Sequence, residues 1–158
     1  MNKQYYISEA KRAASIQINE LKKIKKIFNK SFIKAVDLIL NCKGKIIFAG
    51  IGKSGLIARK ISATFSSVGI PSFFCDPAQA LHGDMGQIEK KDILIIFSYS
   101  GNTSELTNMI KYANRYNIKI IGIASKPDSI LLKASDIKLI LPKVKESDVT
   151  GMVPTTST

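Results

Sequence analysis

Lys53 sits in a glycine loop, Gly50-Ile51-Gly52-Lys53-Ser54-Gly55, between an apolar run and a helical pattern. Backbone N–H groups at such a helix start attract an anion. The spacing also matches the GxGxxG fingerprint of dinucleotide sites, with Asp76 about where a ribose-binding acid would stand. It does not match the GxxxxGK[ST] phosphate loop, because the first glycine would fall at Ile47. Glycine backbone alone normally approaches a pyrophosphate, so a lysine inserted there suits a compact sugar phosphate better. The plainest alternative is a surface lysine on a turn.

The loop Ser98-Tyr99-Ser100-Gly101-Asn102-Thr103-Ser104-Glu105 opens a second helix. A phosphate monoester has several oxygens to satisfy, and Ser98, Ser100 and Thr103 supply hydroxyl donors beside that helix start. Asn102 followed three residues later by Glu105 also reads as a capping box. Capping leaves three hydroxyls unexplained, so the phosphate site is the preferred reading. Between these loops, Asp76-Pro77-Ala78-Gln79-Ala80-Leu81-His82-Gly83-Asp84 holds the single histidine. His82 is read as a packing residue or as an acid–base group, and both remain open here. Near the end, Lys145-Glu146-Ser147-Asp148 precedes Pro154-Thr155-Thr156-Ser157-Thr158. Those hydroxyls could cap a helix or touch sugar hydroxyls.

These loops need elements to hold them. Ala14, Ile18, Leu21, Ile24 and Phe28 recur at helical spacing, as do Phe32, Val36, Ile39 and Leu40. Ile57, Ile61, Phe65 and Val68 mark a further helix, ended by Gly69 and Pro71. Short apolar runs at 45–49, 72–75, 93–97, 118–124 and 137–141 read as five strands, most of them separated by helical patterns. Continuous apolar strands of this kind describe a parallel sheet covered on both faces. In such sheets ligands bind at the carboxyl ends of the strands, where the four loops fall.

A length of 158 residues with 45% hydrophobic and 23% charged residues fits one globular domain. No apolar stretch is long enough to span a bilayer, and the first residues lack the apolar core of a secretory signal. Cys42 and Cys75 are isolated, which disfavours zinc or disulfide frameworks and fits a reducing cytoplasm. The net charge of +12 raises a nucleic-acid reading. Only Arg12, Arg59 and Arg115 among the 24 basic residues are arginines, however, and bidentate phosphate and base recognition draws on arginine. Lysines on the solvated faces of the N-terminal helices account for much of the excess. Neither nucleic acid nor membrane is expected as a partner.

Together these four loops, in this order, resemble the SIS (sugar isomerase) domain of the D-arabinose-5-phosphate isomerases, enzymes that feed Kdo synthesis for lipopolysaccharide. The resemblance covers nearly the whole chain. It implies a flavodoxin-like αβα sandwich with a five-stranded parallel sheet, forming one domain over 1–158. N-terminal helices would occupy 4–42 and the α/β core 45–158. It also implies a homo-oligomer (dimer or tetramer), and interconversion of D-arabinose 5-phosphate and D-ribulose 5-phosphate with no cofactor. By position, Lys53, His82, Glu105 and Glu146 match residues the family uses at its active site. Gly52, Ser54, Ser98 and Ser100 match positions that hold substrate and phosphate, as do Gly101, Thr103, Thr155 and Ser157.

Proton transfer between C1 and C2 through a cis-enediol needs a base near C2 and a cation at the enediolate oxygen. Glu105 or Glu146 would be the base, Lys53 the cation, and His82 a candidate for ring opening. Two departures stand out. The family usually has His-Pro-x-Glu where this chain has Asp76-Pro77-Ala78-Gln79. Family members also continue into another helix, a His-Pro-Gly-Gly segment and often a CBS pair, none of which lies in these 158 residues. Lacking that helix, apolar core surface is expected to stay uncovered. A non-catalytic sugar-phosphate-binding module is the alternative function. A dinucleotide-binding domain comes third, since it leaves the Ser100–Thr103 loop and the tail unexplained.

Overall fold

The computed structural model describes residues 3–157; Met1, Asn2 and Thr158, the end of the hydroxyl-rich tail, lie outside them. Helix α1 (Lys3–Leu21) passes into a 3₁₀ segment (Lys22–Ile27), and α2 (Lys30–Leu40) follows. The helical spacing through Phe28 does not continue as one α-helix. Asn29 is extended and its side chain accepts from Ser31 N, which starts a new helix there.

Five strands make one all-parallel sheet: β1 (Ile46–Gly50), β2 (Ser72–Cys75), β3 (Ile93–Phe97), β4 (Lys119–Ala124) and β5 (Ile137–Ile140). Their order is β2-β1-β3-β4-β5, as the flavodoxin-like expectation requires. Helices α3 (Gly52–Ser67), α4 (Leu106–Arg115) and α5 (Ile130–Ala134) follow β1, β3 and β4. All five residues of β1 are buried, the state that produced an unbroken apolar run in the sequence.

Side-chain alternation divides the core into two layers. Ile46, Phe48, Ile93, Ile95 and Ile121 pack with Ile27, Ala35 of α2 and Ala58 of α3. On the other face, Ile47, Leu94, Ile96 and Ile120 pack with Leu106 and Met109 of α4 and Leu131 and Leu132 of α5. Helix α1 is different. Glu20 is its one buried residue, whereas Tyr5, Tyr6, Ile7, Ile18 and Leu21 are exposed. Its apolar stripe therefore finds no inner face among the described residues. Polar contacts fasten α1 instead: Arg12 Nη2 donates to Ser147 O, and Gln17 Nε2 donates to Ser147 Oγ and Thr155 O.

The strand order decides where a ligand can sit. β1 and β3 are neighbours, but the chain leaves β1 toward β2 and leaves β3 toward β4. Their following loops diverge and open a crevice at the sheet's carboxyl edge. No helix among the described residues is long and apolar enough to cross a membrane.

Candidate functional site

Two helix starts meet the crevice, and neither has a side-chain cap. Ile51 precedes α3 and Glu105 precedes α4, and neither side chain bonds to the first turn. The contrast is within the molecule: Asn29 caps α2 and Ser129 caps α5. The first N–H groups of α3 are suited to an anion, whereas at α4 Leu106 N and Thr107 N already donate to the carbonyls of Thr103 and Ser104. The capping box, the alternative reading of Asn102 and Glu105, does not form. Asn102 Oδ1 accepts from Ile130 N at 2.9 Å, tying the loop to α5, and Ser104 Oγ donates to Glu105 Oε2. That Ser104 hydrogen bond, with a backbone one, holds the exposed Glu105 carboxyl below its usual range.

The loop after β3 is internally braced. Ser98 Oγ and Thr103 Oγ1 share a 3.0 Å hydrogen bond, and Gly101 N donates to Ser98 Oγ. Ser100 Oγ accepts from Asn102 N. Gly101 has φ +68°, and the oxygen of its carbonyl accepts from Leu131 N. Thus the hydroxyls at 98, 100 and 103 are gathered in one turn by tertiary contacts as well as by sequence proximity.

Glu146 organises the tail. Its Oε2 accepts from Thr155 N (2.7 Å), Thr155 Oγ1 (3.1 Å), Thr156 N (2.6 Å) and Ser157 N (3.4 Å). Partial burial pushes its carboxyl up, but the Ser157 hydroxyl and the Thr156 and Thr155 N–H groups outweigh this and hold it at about 2. A folded-state value depressed from 4.5 means stabilisation present above pH about 4.5 and lost progressively as pH falls toward about 2. We predict that the 146–157 segment loosens in that window before the sheet unfolds. Hydrogen exchange of Thr155 and Thr156 amides across pH 5 to pH 2, corrected for intrinsic rates, checks this. Protection constant through the window would contradict it.

A cavity of about 420 Å³ opens between the tail, the end of α1 and the carboxyl ends of β3, β4 and β5. Its walls include Ser54, Ser98, Thr155, Thr156 and Ser157, with Gln17 and Glu20 of α1, and an apolar side formed by Ile24, Ile57, Phe97, Ile123 and Leu141.

The sequence pattern of the SIS domain matches residues 39–158. This chain belongs to the SIS domain family. The SIS domain here is 42% identical over 157 residues to an uncharacterized protein of Rickettsia prowazekii (strain Madrid E), covering 99% of this chain and 49% of that protein. It is 38% identical over 148 residues to the arabinose 5-phosphate isomerase KdsD of Escherichia coli (strain K12), covering 94% of this chain and 45% of KdsD. The chain spans about half the length of these curated relatives. Two solved structures share the fold over 99% of this chain, each at 34% sequence identity. A Listeria monocytogenes protein superposes with a TM-score of 0.94, over 83% of its own chain. An Escherichia coli CFT073 protein, solved in complex with arabinose 5-phosphate, does so with a TM-score of 0.88, over 84% of its own.

Within the SIS domain, the sequence-derived positions separate into groups. Ser54, Ser98, Thr155 and Ser157 share the cavity wall. Gly52, Lys53, His82 and Glu105 are exposed on loops or first turns at the same edge of the sheet, and none of them lines the cavity. Ser100, Gly101 and Thr103 brace the β3–α4 turn. Glu146 faces the tail's N–H groups. Asp76 Oδ1 accepts from Ala78 N, so this acid stabilises its own turn. Two contributors had no sequence signal, Gln17 and Tyr99 (whose hydroxyl accepts from Val144 N), and Thr156 was marked only as a member of the tail's hydroxyl cluster. Gln17 bridges 138 residues to Thr155, and no local pattern marks such a contact.

Proposed function

We propose that this SIS domain binds a pentose 5-phosphate and carries out aldose–ketose isomerisation between D-arabinose 5-phosphate and D-ribulose 5-phosphate, in the supply of Kdo. The observation carrying this reading is the pair of uncapped helix starts beside a hydroxyl-lined cavity, in a chain 38% identical to KdsD. The phosphate would satisfy the N–H groups at the start of α3 and in the loop before α4, with the hydroxyls of Ser54, Ser98, Ser100 and Thr103 around it. Gly52 and Gly101 would let the backbone approach. Lys53, on the first turn of α3, would stabilise the enediolate oxygen. Glu105 or Glu146 would move the proton between C1 and C2, and His82 would assist ring opening.

Glu146 supports a second reading. A carboxyl held at about 2 by the tail's donors is a weak base near neutrality. That favours a non-catalytic sugar-phosphate-binding module, which needs the phosphate site and no base. The exposed apolar residues of α1, together with Leu40 and Leu56, support a homo-oligomer in either case. The cytoplasm is the compartment in which both would act.

A coupled assay of the purified chain for this interconversion tests the proposal, with the mass of the assayed species measured by light scattering. Turnover is the expected result. Saturable binding of D-arabinose 5-phosphate without turnover would select the binding module. Absence of both would overturn the two readings together.

A further inference from the structure

Three hydroxyls follow Pro154 in the described tail, and the structure separates their duties. Thr155 Oγ1 donates to Glu146 Oε2 and accepts from Ser147 N at 2.9 Å. Ser157 N donates to the same carboxylate oxygen at 3.4 Å. Thr156 Oγ1 has no partner. Among the described residues it is the one buried side-chain nitrogen or oxygen left unsatisfied, and its residue lines the 420 Å³ cavity. Buried hydroxyls are ordinarily paired, and leaving one unpaired is costly. That oxygen is sealed from solvent, so the side chain must rotate toward the cavity for a ligand group to bond to it and remove that cost.

Charge decides which part of a ligand this is. Thr156 N donates to Glu146 Oε2 at 2.6 Å, which fixes a carboxylate within one residue of the hydroxyl. A phosphate dianion placed there meets like charge, whereas a neutral alcohol does not. The phosphate's favourable ground lies at the uncapped start of α3 and in the loop before α4, with Lys53 on the first turn of α3. We infer that Thr156 binds a hydroxyl of the ligand's sugar part, and so contributes to recognising the sugar rather than the phosphate. This rests on the sugar-phosphate reading above. Thr155 and Ser157, singled out by resemblance, line the same cavity and also donate to Glu146 Oε2.

Calorimetric titration of the 158-residue chain with D-arabinose 5-phosphate and, separately, inorganic phosphate tests the assignment. Thr156→Val keeps the shape and removes the hydroxyl; Thr156→Ser restores it. The valine variant is expected to raise the Kd for arabinose 5-phosphate about three- to tenfold while changing that for phosphate less than about twofold. The serine variant should bind like the parent. Without ligand, the valine variant should melt no lower than the parent, because it removes an unpaired buried oxygen. Equal weakening for both probes, or no weakening for either, overturns the assignment. A lowered melting temperature without ligand does so too, since it assigns the hydroxyl a structural bond. Failure of the unsubstituted chain to bind either probe would instead overturn the sugar-phosphate reading, and Thr156's role with it.

Discussion

Lys53→Ala is expected to lower kcat for the arabinose 5-phosphate to ribulose 5-phosphate interconversion by about 100- to 1,000-fold, the usual effect of removing one group that stabilises a developing oxyanion. Lys53 is exposed on the first turn of α3, so the melting temperature should stay within a degree or so of the parent's. The steady-state constants separate the roles. A cation acting on the enediolate stabilises the transition state alone, so kcat and kcat/KM should fall together. A cation acting only on the phosphate binds ground and transition states alike, which raises KM and spares kcat. Unchanged kinetics would leave Lys53 as a surface residue on a turn. Lys53→Arg is a useful companion, because a planar guanidinium keeps the charge but moves it.

Gly101→Ala should cost about 3 kcal/mol of stability, from the left-handed backbone and the overpacking together. Gly101 sits at φ +68°, and a Cβ there would meet Ser129 Cβ at 2.5 Å and Ala124 Cβ at 3.1 Å. Ser129 is buried and caps α5, so it has nowhere to retreat without opening that helix. A chain of this size should lose about 6–12 °C in melting temperature. The damage should also reach ligand binding, since Gly101 N donates to Ser98 Oγ in the cavity wall. Gly52→Ala provides the control. Its φ is +57°, but nothing lies within 4 Å of the place its methyl group would take, so only the backbone strain of about 1–2 kcal/mol applies. Similar losses at both positions would mean that packing against Ser129 contributes little.

Much of this domain was legible locally. The central strands β1 and β3 appear as unbroken apolar runs because both their faces are buried, so Ile93–Phe97 needs no context to be recognised. The edge strands β2 and β5 are only partly buried. Gly69 and Pro71 end α3 as their conformational preferences dictate. The loops after β1, β2 and β3, and the tail, were also readable as places for chemistry. Glycines and hydroxyls directly after a strand have few other purposes.

Helix starts and side-chain partners were harder. Asn102 and Glu105 have the spacing of a capping box, yet Asn102 bonds to Ile130, 28 residues away. The apolar stripe of α1 predicts burial, but its solvent exposure depends on what packs against it, and a periodicity carries no such information. Composition and spacing by themselves determined the strands, the order of the loops and the kinds of groups those loops present. Tertiary structure alone decided that β1 and β3 lie side by side, that Glu146 turns toward the tail, and that Thr156 rather than its neighbours keeps a buried, unpaired hydroxyl. The physical reason is range: backbone preference and burial pattern act over a few residues, while hydrogen-bond pairing and enclosure depend on groups brought together from distant parts of the chain.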